Sequence, residues 1–168
     1  MDKLPITSHC ASAAGSVLEL PWLERTLLWS IRTWAAYHDA PQSIWWHLER
    51  VFTEAGIRPA LEPFSQLMHG LFGGLKRLPD IRCVRCLRLG KDEKELLAIL
   101  AQATQQSAHA TTVRLGRLMS FSAARGAAAA ALEIMRVVHG AGLSMQITTA
   151  ELDSTERAPT RPFDVALH

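Results

Sequence analysis

Leu20-Pro21-Trp22-Leu23-Glu24-Arg25-Thr26-Leu27-Leu28-Trp29-Ser30-Ile31-Arg32-Thr33-Trp34 is the stretch that decides the fold. Leu20, Leu23, Leu27, Ile31 and Trp34 recur at steps of three and four, the beat of one helix face. Pro21 suits a first helical position, where its missing N–H would have no partner. The spacing therefore predicts a helix from Pro21 to about His38, broken by Asp39-Ala40-Pro41-Gln42. A second stripe of the same helix carries Trp22, Arg25, Trp29 and Arg32. A helix apolar on two sides is either central to the core or covered by a partner. Tryptophan and arginine are the residues most enriched at interface hot spots. These four are accordingly the candidate interface.

The same period runs on through the chain. A second helix is expected after Ser43, a candidate cap, with Ile44, Leu48, Val51, Phe52 and Ala55 facing inward and Gly56 stopping it. A third follows Pro59 and Pro63 to about Leu78, carrying Phe64, Leu67, Met68, Leu71, Phe72 and Leu75. Pro79-Asp80 ends it, and Ile81 to Leu89 reads as a short extended segment holding Cys83 and Cys86. Asp92, with Glu95 three residues on, has the pattern of a capping box for a fourth helix reaching about Gln106. A fifth is expected over 108–119, with Val113, Leu115 and Leu118 buried. A sixth is expected over 123–139, capped by Ser122, ended by Gly140 and built around the alanines 127–131. The reading is an all-α bundle of about six helices with one short extended cysteine-containing loop. Residues 1–18 form a loose N-terminal arm, 19–142 the helical domain and 143–168 an irregular or disordered tail.

Composition agrees with a packed globular chain. Of 168 residues, 48% are apolar and 20% charged, enough to bury a real core. A net charge of +2 is too small for capture of nucleic acid by the whole molecule. No apolar run approaches the roughly 18 residues of a membrane helix, and the first twenty residues lack a signal-peptide core. Three cysteines at uneven spacing do not make a secreted disulfide framework. The expectation is a cytoplasmic protein.

Cys83-Val84-Arg85-Cys86 is the one place where residue type and spacing together suggest chemistry. Two thiols three positions apart supply half of a tetrahedral zinc site, which Cys10 and His9, or His69, would have to complete. They can also form a redox pair, and the flanking Arg82, Arg85 and Arg88 would favour thiolate. The plain alternative is two small side chains packed in a loop. The same arginines, with Lys76, Arg77, Lys91 and Lys94, make a candidate anion site, set against a simply solvated loop. The seven histidines are scattered, with none at a metal-helix spacing. No nucleophile elbow, P-loop or dinucleotide glycine pattern occurs.

The order of parts resembles an uncharacterised family of small bacterial helical proteins over about residues 20–105. The shared order is an arginine-bearing first helix, two further helices, and a cysteine-containing loop leading into Asp92-Glu93 and Leu96-Leu97. That family carries denser cysteines in the loop, and the resemblance implies no function. With no catalytic constellation visible, the expected activity is self-assembly or partner binding, with a homo-oligomer formed through the tryptophan-bearing helix. The runner-up is metal or redox regulation at Cys83 and Cys86.

Overall fold

The computed structural model describes residues 16–40, 43–103 and 105–147. Among them are six α-helices: α1 (Trp22–Ala36), α2 (Trp45–Glu54), α3 (Leu61–Gly73), α4 (Lys91–Gln102), α5 (Ala108–Leu115) and α6 (Phe121–Gly140). Single turns of 3-10 helix, Val17–Glu19 and Arg58–Ala60, lead into α1 and α3. The fold is all-α, as the periodicity implies.

The leucine stripe of α1 is buried: Leu23, Leu27, Ile31 and Trp34 are each at most 3% exposed. Trp34 meets α3 edge-on at Phe64 and His69, and Phe52 of α2 packs on Phe64 from the other side. Each such fully buried large side chain contributes about 1.5–3 kcal/mol relative to exposure. Helix α6 lies along α3 and α5 and also touches α4, while α1 packs on α4. Its buried Ala124, Ala127, Ala128 and Ala131 are what let α3 come so near. A Cβ on Gly70 would already sit 3.6 Å from that of Ala127, and one on Gly74 would collide with Ala123.

Helix ends depart from expectation in instructive ways. Gly56 does stop α2, at φ 72°, where its N–H bonds Thr53 and that of Ile57 bonds Phe52. Ser43 does not cap α2; its hydroxyl donates to the Ala40 carbonyl instead. Pro63 lies inside the first turn of α3, and the helix stops at Gly73, so Leu78 is 60% exposed beyond its end. The residue that caps α4 is Gly90, whose N–H donates to Glu93 at 2.7 Å, two positions before the expected Asp92–Glu95 pair. Helix α4 ends at Gln102 and α5 at Leu115, with Val113 exposed rather than buried. Ser120, not Ser122, caps α6, and the left-handed residue that ends it is Gly142 rather than Gly140.

The stretch 81–89 is not a strand. Its one pairing is an antiparallel bridge of Arg88 with Ser16, continued by Val17 N–H donating to Leu87 at 2.8 Å. Beyond Gly142 the chain turns back to α1, where Gln146 and Ile147 donate their backbone N–H groups to Glu24. Most of the expected arm and tail, residues 1–15 and 148–168, lies outside the described residues.

Candidate functional site: the α1 groove and its cysteine loop

Arg32 does not belong to an exposed stripe. It is 2% exposed, and its guanidinium donates to Glu93 through Nε at 2.7 Å and Nη2 at 2.8 Å. The same group donates to the carbonyls of Cys86 at 2.5 Å and Arg88 at 2.7 Å. Glu93, fully buried at the first turn of α4, also accepts the N–H groups of Arg82 at 2.8 Å and Gly90 at 2.7 Å. One buried ion pair thus ties both flanks of the cysteine loop to α1 and α4. That pairing buries Arg32 beneath the surface, although the residue still lines the same groove as Trp22, Arg25 and Trp29.

A second carboxylate holds the approach to the loop. Asp92 accepts both Arg77 Nη atoms, at 2.7 and 2.6 Å, and the Asp80 N–H at 2.6 Å. Burial pushes its carboxyl up. The Arg77 hydrogen bonds, the Asp80 amide and the charges of Arg77 and Lys91 outweigh that and hold it below its ordinary value. Asp80 in turn accepts the Lys91 N–H at 2.8 Å and pairs with Arg82 at 3.1 Å.

Of the other three stripe residues, Trp22 and Arg25 are exposed, while Trp29 is half-buried and packs against the core. All four, with Thr26 and the buried Leu28, line an open groove of about 410 Å³. Val17, Val51 of α2 and Val84 of the cysteine loop complete its lining. Trp22 is 47% exposed. Arg25 is exposed, and its guanidinium makes no ion pair or hydrogen bond among the described residues. The groove can therefore stack a flat or apolar group between indoles and meet a negative charge with Arg25. Leu18 and Leu87, next to the 16–88 bridge, are exposed by 66% and 57%.

Cys83 is exposed and Cys86 buried, and neither is in a disulfide. They bound a hydrogen-bonded turn, in which Cys86 N–H donates to the Cys83 carbonyl at 3.0 Å. Cys10 and His9, the other half of the sequence-based metal site, lie outside the described residues. Among the described residues no group of three or more His, Cys, Asp or Glu could hold a metal ion. His69 is turned to Ser65, its Nδ1 3.2 Å from the hydroxyl and 2.9 Å from the carbonyl, with its ring against Trp34. The arginines of the candidate anion site differ in their surroundings. Arg82 pairs with Asp80, and Arg88 contributes its carbonyl to Arg32, leaving Arg85 and Arg88 exposed.

Two features have no counterpart in the sequence reading. The Arg32–Glu93 pair spans sixty-one positions, and its local trace is the Gly90-Lys91-Asp92-Glu93 order that suits a capping box two positions earlier. Glu24 sits on the buried side of α1 between Leu23 and Leu27, fully buried, with one carboxylate oxygen on Gln146 and Ile147 and the other without a hydrogen-bond partner among the described residues. A carboxylate inside an apolar stripe signals a buried partner, but the partner lies at the far end of the chain.

Comparison with protein-family models, with curated proteins and with solved structures returns no match. No helix among the described residues is long and apolar enough to cross a membrane.

Proposed function

We propose that the protein acts by binding rather than catalysis, and that its partner is a second copy of itself docked along the tryptophan face of α1. The observation that carries this is Trp22, half exposed at a groove that Val17, Val51 and Val84 also line. Contiguous exposed apolar surface of this kind marks interaction sites. Charge favours a like partner. Glu19 precedes Trp22 by three positions and Arg25 follows it by three, and both are exposed. An antiparallel pairing of two copies centred on Trp22 sets Arg25 of α1 in one copy against Glu19, in the turn before α1, of the other, twice, as a twofold interface requires. The exposed thiol of Cys83 suits a reducing compartment, so the cytoplasm is the proposed location.

Size-exclusion chromatography with light scattering tests the assembly. A dimer is expected at micromolar concentration. Arg25→Glu and Glu19→Arg should each weaken it at least about tenfold, the effect of some 1.4 kcal/mol, and the double variant should recover most of the loss. A strict monomer across the micromolar range removes the reading.

A further inference from the structure

The thiols on either side of Val84, which lines the groove, have a geometry that the assembly reading does not use. Cys83 and Cys86 occupy the first and last positions of a hydrogen-bonded turn, with 3.0 Å between the Cys83 carbonyl oxygen and the Cys86 nitrogen. Such a turn holds its end Cα atoms within about 7 Å, and a disulfide spans roughly 4.4–6.8 Å between Cα atoms. The backbone is thus already near the spacing that a bridge needs. The two sulfurs differ in access, since Cys83 is exposed and Cys86 is 7% exposed. That is the arrangement of an attacking thiol beside a sheltered resolving thiol. The chain on either side is held by Arg32 and Glu93 through Arg82 N–H and the Cys86 and Arg88 carbonyls. A change of thiol state is thereby concentrated in the turn itself, whose corner residue Val84 lines the groove.

We infer that Cys83 and Cys86 are a reversible dithiol–disulfide pair whose state sets the wall of the α1 groove at Val84. The oxidant is a low-molecular-weight disulfide such as oxidised glutathione. The Cys83 thiolate attacks one of its sulfurs, breaking that S–S bond and releasing one thiolate, which takes up the proton Cys83 gave. The Cys86 thiol then loses its proton and attacks the Cys83 sulfur of the mixed disulfide, forming the internal S–S bond and releasing the second thiol. Two protein thiols are oxidised and one disulfide is reduced to two thiols, so electrons and protons balance. The second step is intramolecular across a preformed turn, which gives it a high effective concentration over a second external thiol.

The full chain carrying Cys10→Ser is treated with oxidised glutathione and measured by intact mass. The expected product has lost two hydrogens, carries no glutathione and returns to the starting mass with dithiothreitol. Adding Cys86→Ser should instead leave one glutathione on Cys83. In 1H–15N spectra of the oxidised Cys10→Ser protein, the indole signals of Trp22 and Trp29 should move while that of Trp34, buried against α3, stays. Retention of both thiols, or a stable glutathione adduct on the Cys10→Ser protein, overturns the pair. Disulfide formation with unmoved Trp22 and Trp29 signals overturns its link to the groove. Neither readout needs a dimer, so failure here and failure of the assembly reading are separate results.

Discussion

Replacing Glu93 by glutamine tests whether the Arg32–Glu93 pair is what fixes the cysteine loop. The substitution keeps the volume, so no cavity term enters. It removes the negative charge facing a guanidinium that is 2% exposed and leaves one good acceptor where two carboxylate oxygens receive four N–H groups. Breaking a buried pair on one side costs about 3–5 kcal/mol, because the remaining charge stays desolvated and uncompensated. Against a typical domain stability of about 5–15 kcal/mol this is a large loss. Arg77→Ala is the comparison. It also breaks a bidentate carboxylate pair, but Arg77 is half exposed and water can take its place, so about 1 kcal/mol is expected. A further Arg32→Met in the Glu93→Gln protein removes the uncompensated charge and should recover part of the loss. Full recovery is not expected, because the Cys86 and Arg88 carbonyls lose their donor. Urea unfolding followed by circular dichroism reads all four proteins. A Glu93→Gln midpoint corresponding to less than about 1 kcal/mol, or one equal to that of Arg77→Ala, refutes the role given to the pair.

Two further expectations concern packing and pH. Gly74→Ala forces a Cβ into Ala123 and to 3.0 Å from the Gly70 carbonyl oxygen, so a loss of about 1–3 kcal/mol is expected from the α3–α6 contact. Gly126→Ala on the exposed side of α6 meets nothing within 4 Å and should raise stability by about 0.5–1 kcal/mol; equal effects in denaturant midpoint would contradict the close approach. Asp92 has a folded pKa below its ordinary 3.8, so its contribution is complete above that value and is lost as pH falls through the lower folded one. The stability gap between the natural protein and Asp92→Asn should be constant near neutral pH and close in the acid range below about pH 4. A gap that widens on acidification would show the opposite sign.

The helices were legible because burial is periodic. Leu23, Leu27, Ile31 and Trp34 could be placed in the core from spacing alone, and all are there. Helix ends were less legible because neighbouring residues offer the same local chemistry. Ser120 and Ser122 can both cap, and Gly90 and Asp92 can both begin α4; the choice was made by distant groups. Asp92 is taken by Arg77 and by the Asp80 amide, so Glu93 and Gly90 form the cap. Arg32 shares the period of Trp22, Arg25 and Trp29, and periodicity could not separate it from them. One more turn along α1 brings its side chain within reach of a buried carboxylate from α4, and that pairing depends on how α1 and α4 pack.

The loop from Leu75 to Gly90 shows why the burial of Arg32 matters. It contains no helix or strand, so its backbone polar groups need partners from outside. They find them in two carboxylates at the start of α4 and one guanidinium from α1. Polar anchors of this kind are directional, unlike apolar packing, and fix a loop in one conformation rather than merely holding it near the core. The consequence is that Val84 and the turn between the two thiols sit at a fixed place beside Trp22 and Trp29, although no regular element carries them. An exposed thiol on an otherwise pinned loop, next to a residue that lines an aromatic groove, is a local element that can change state while the surrounding helices stay packed.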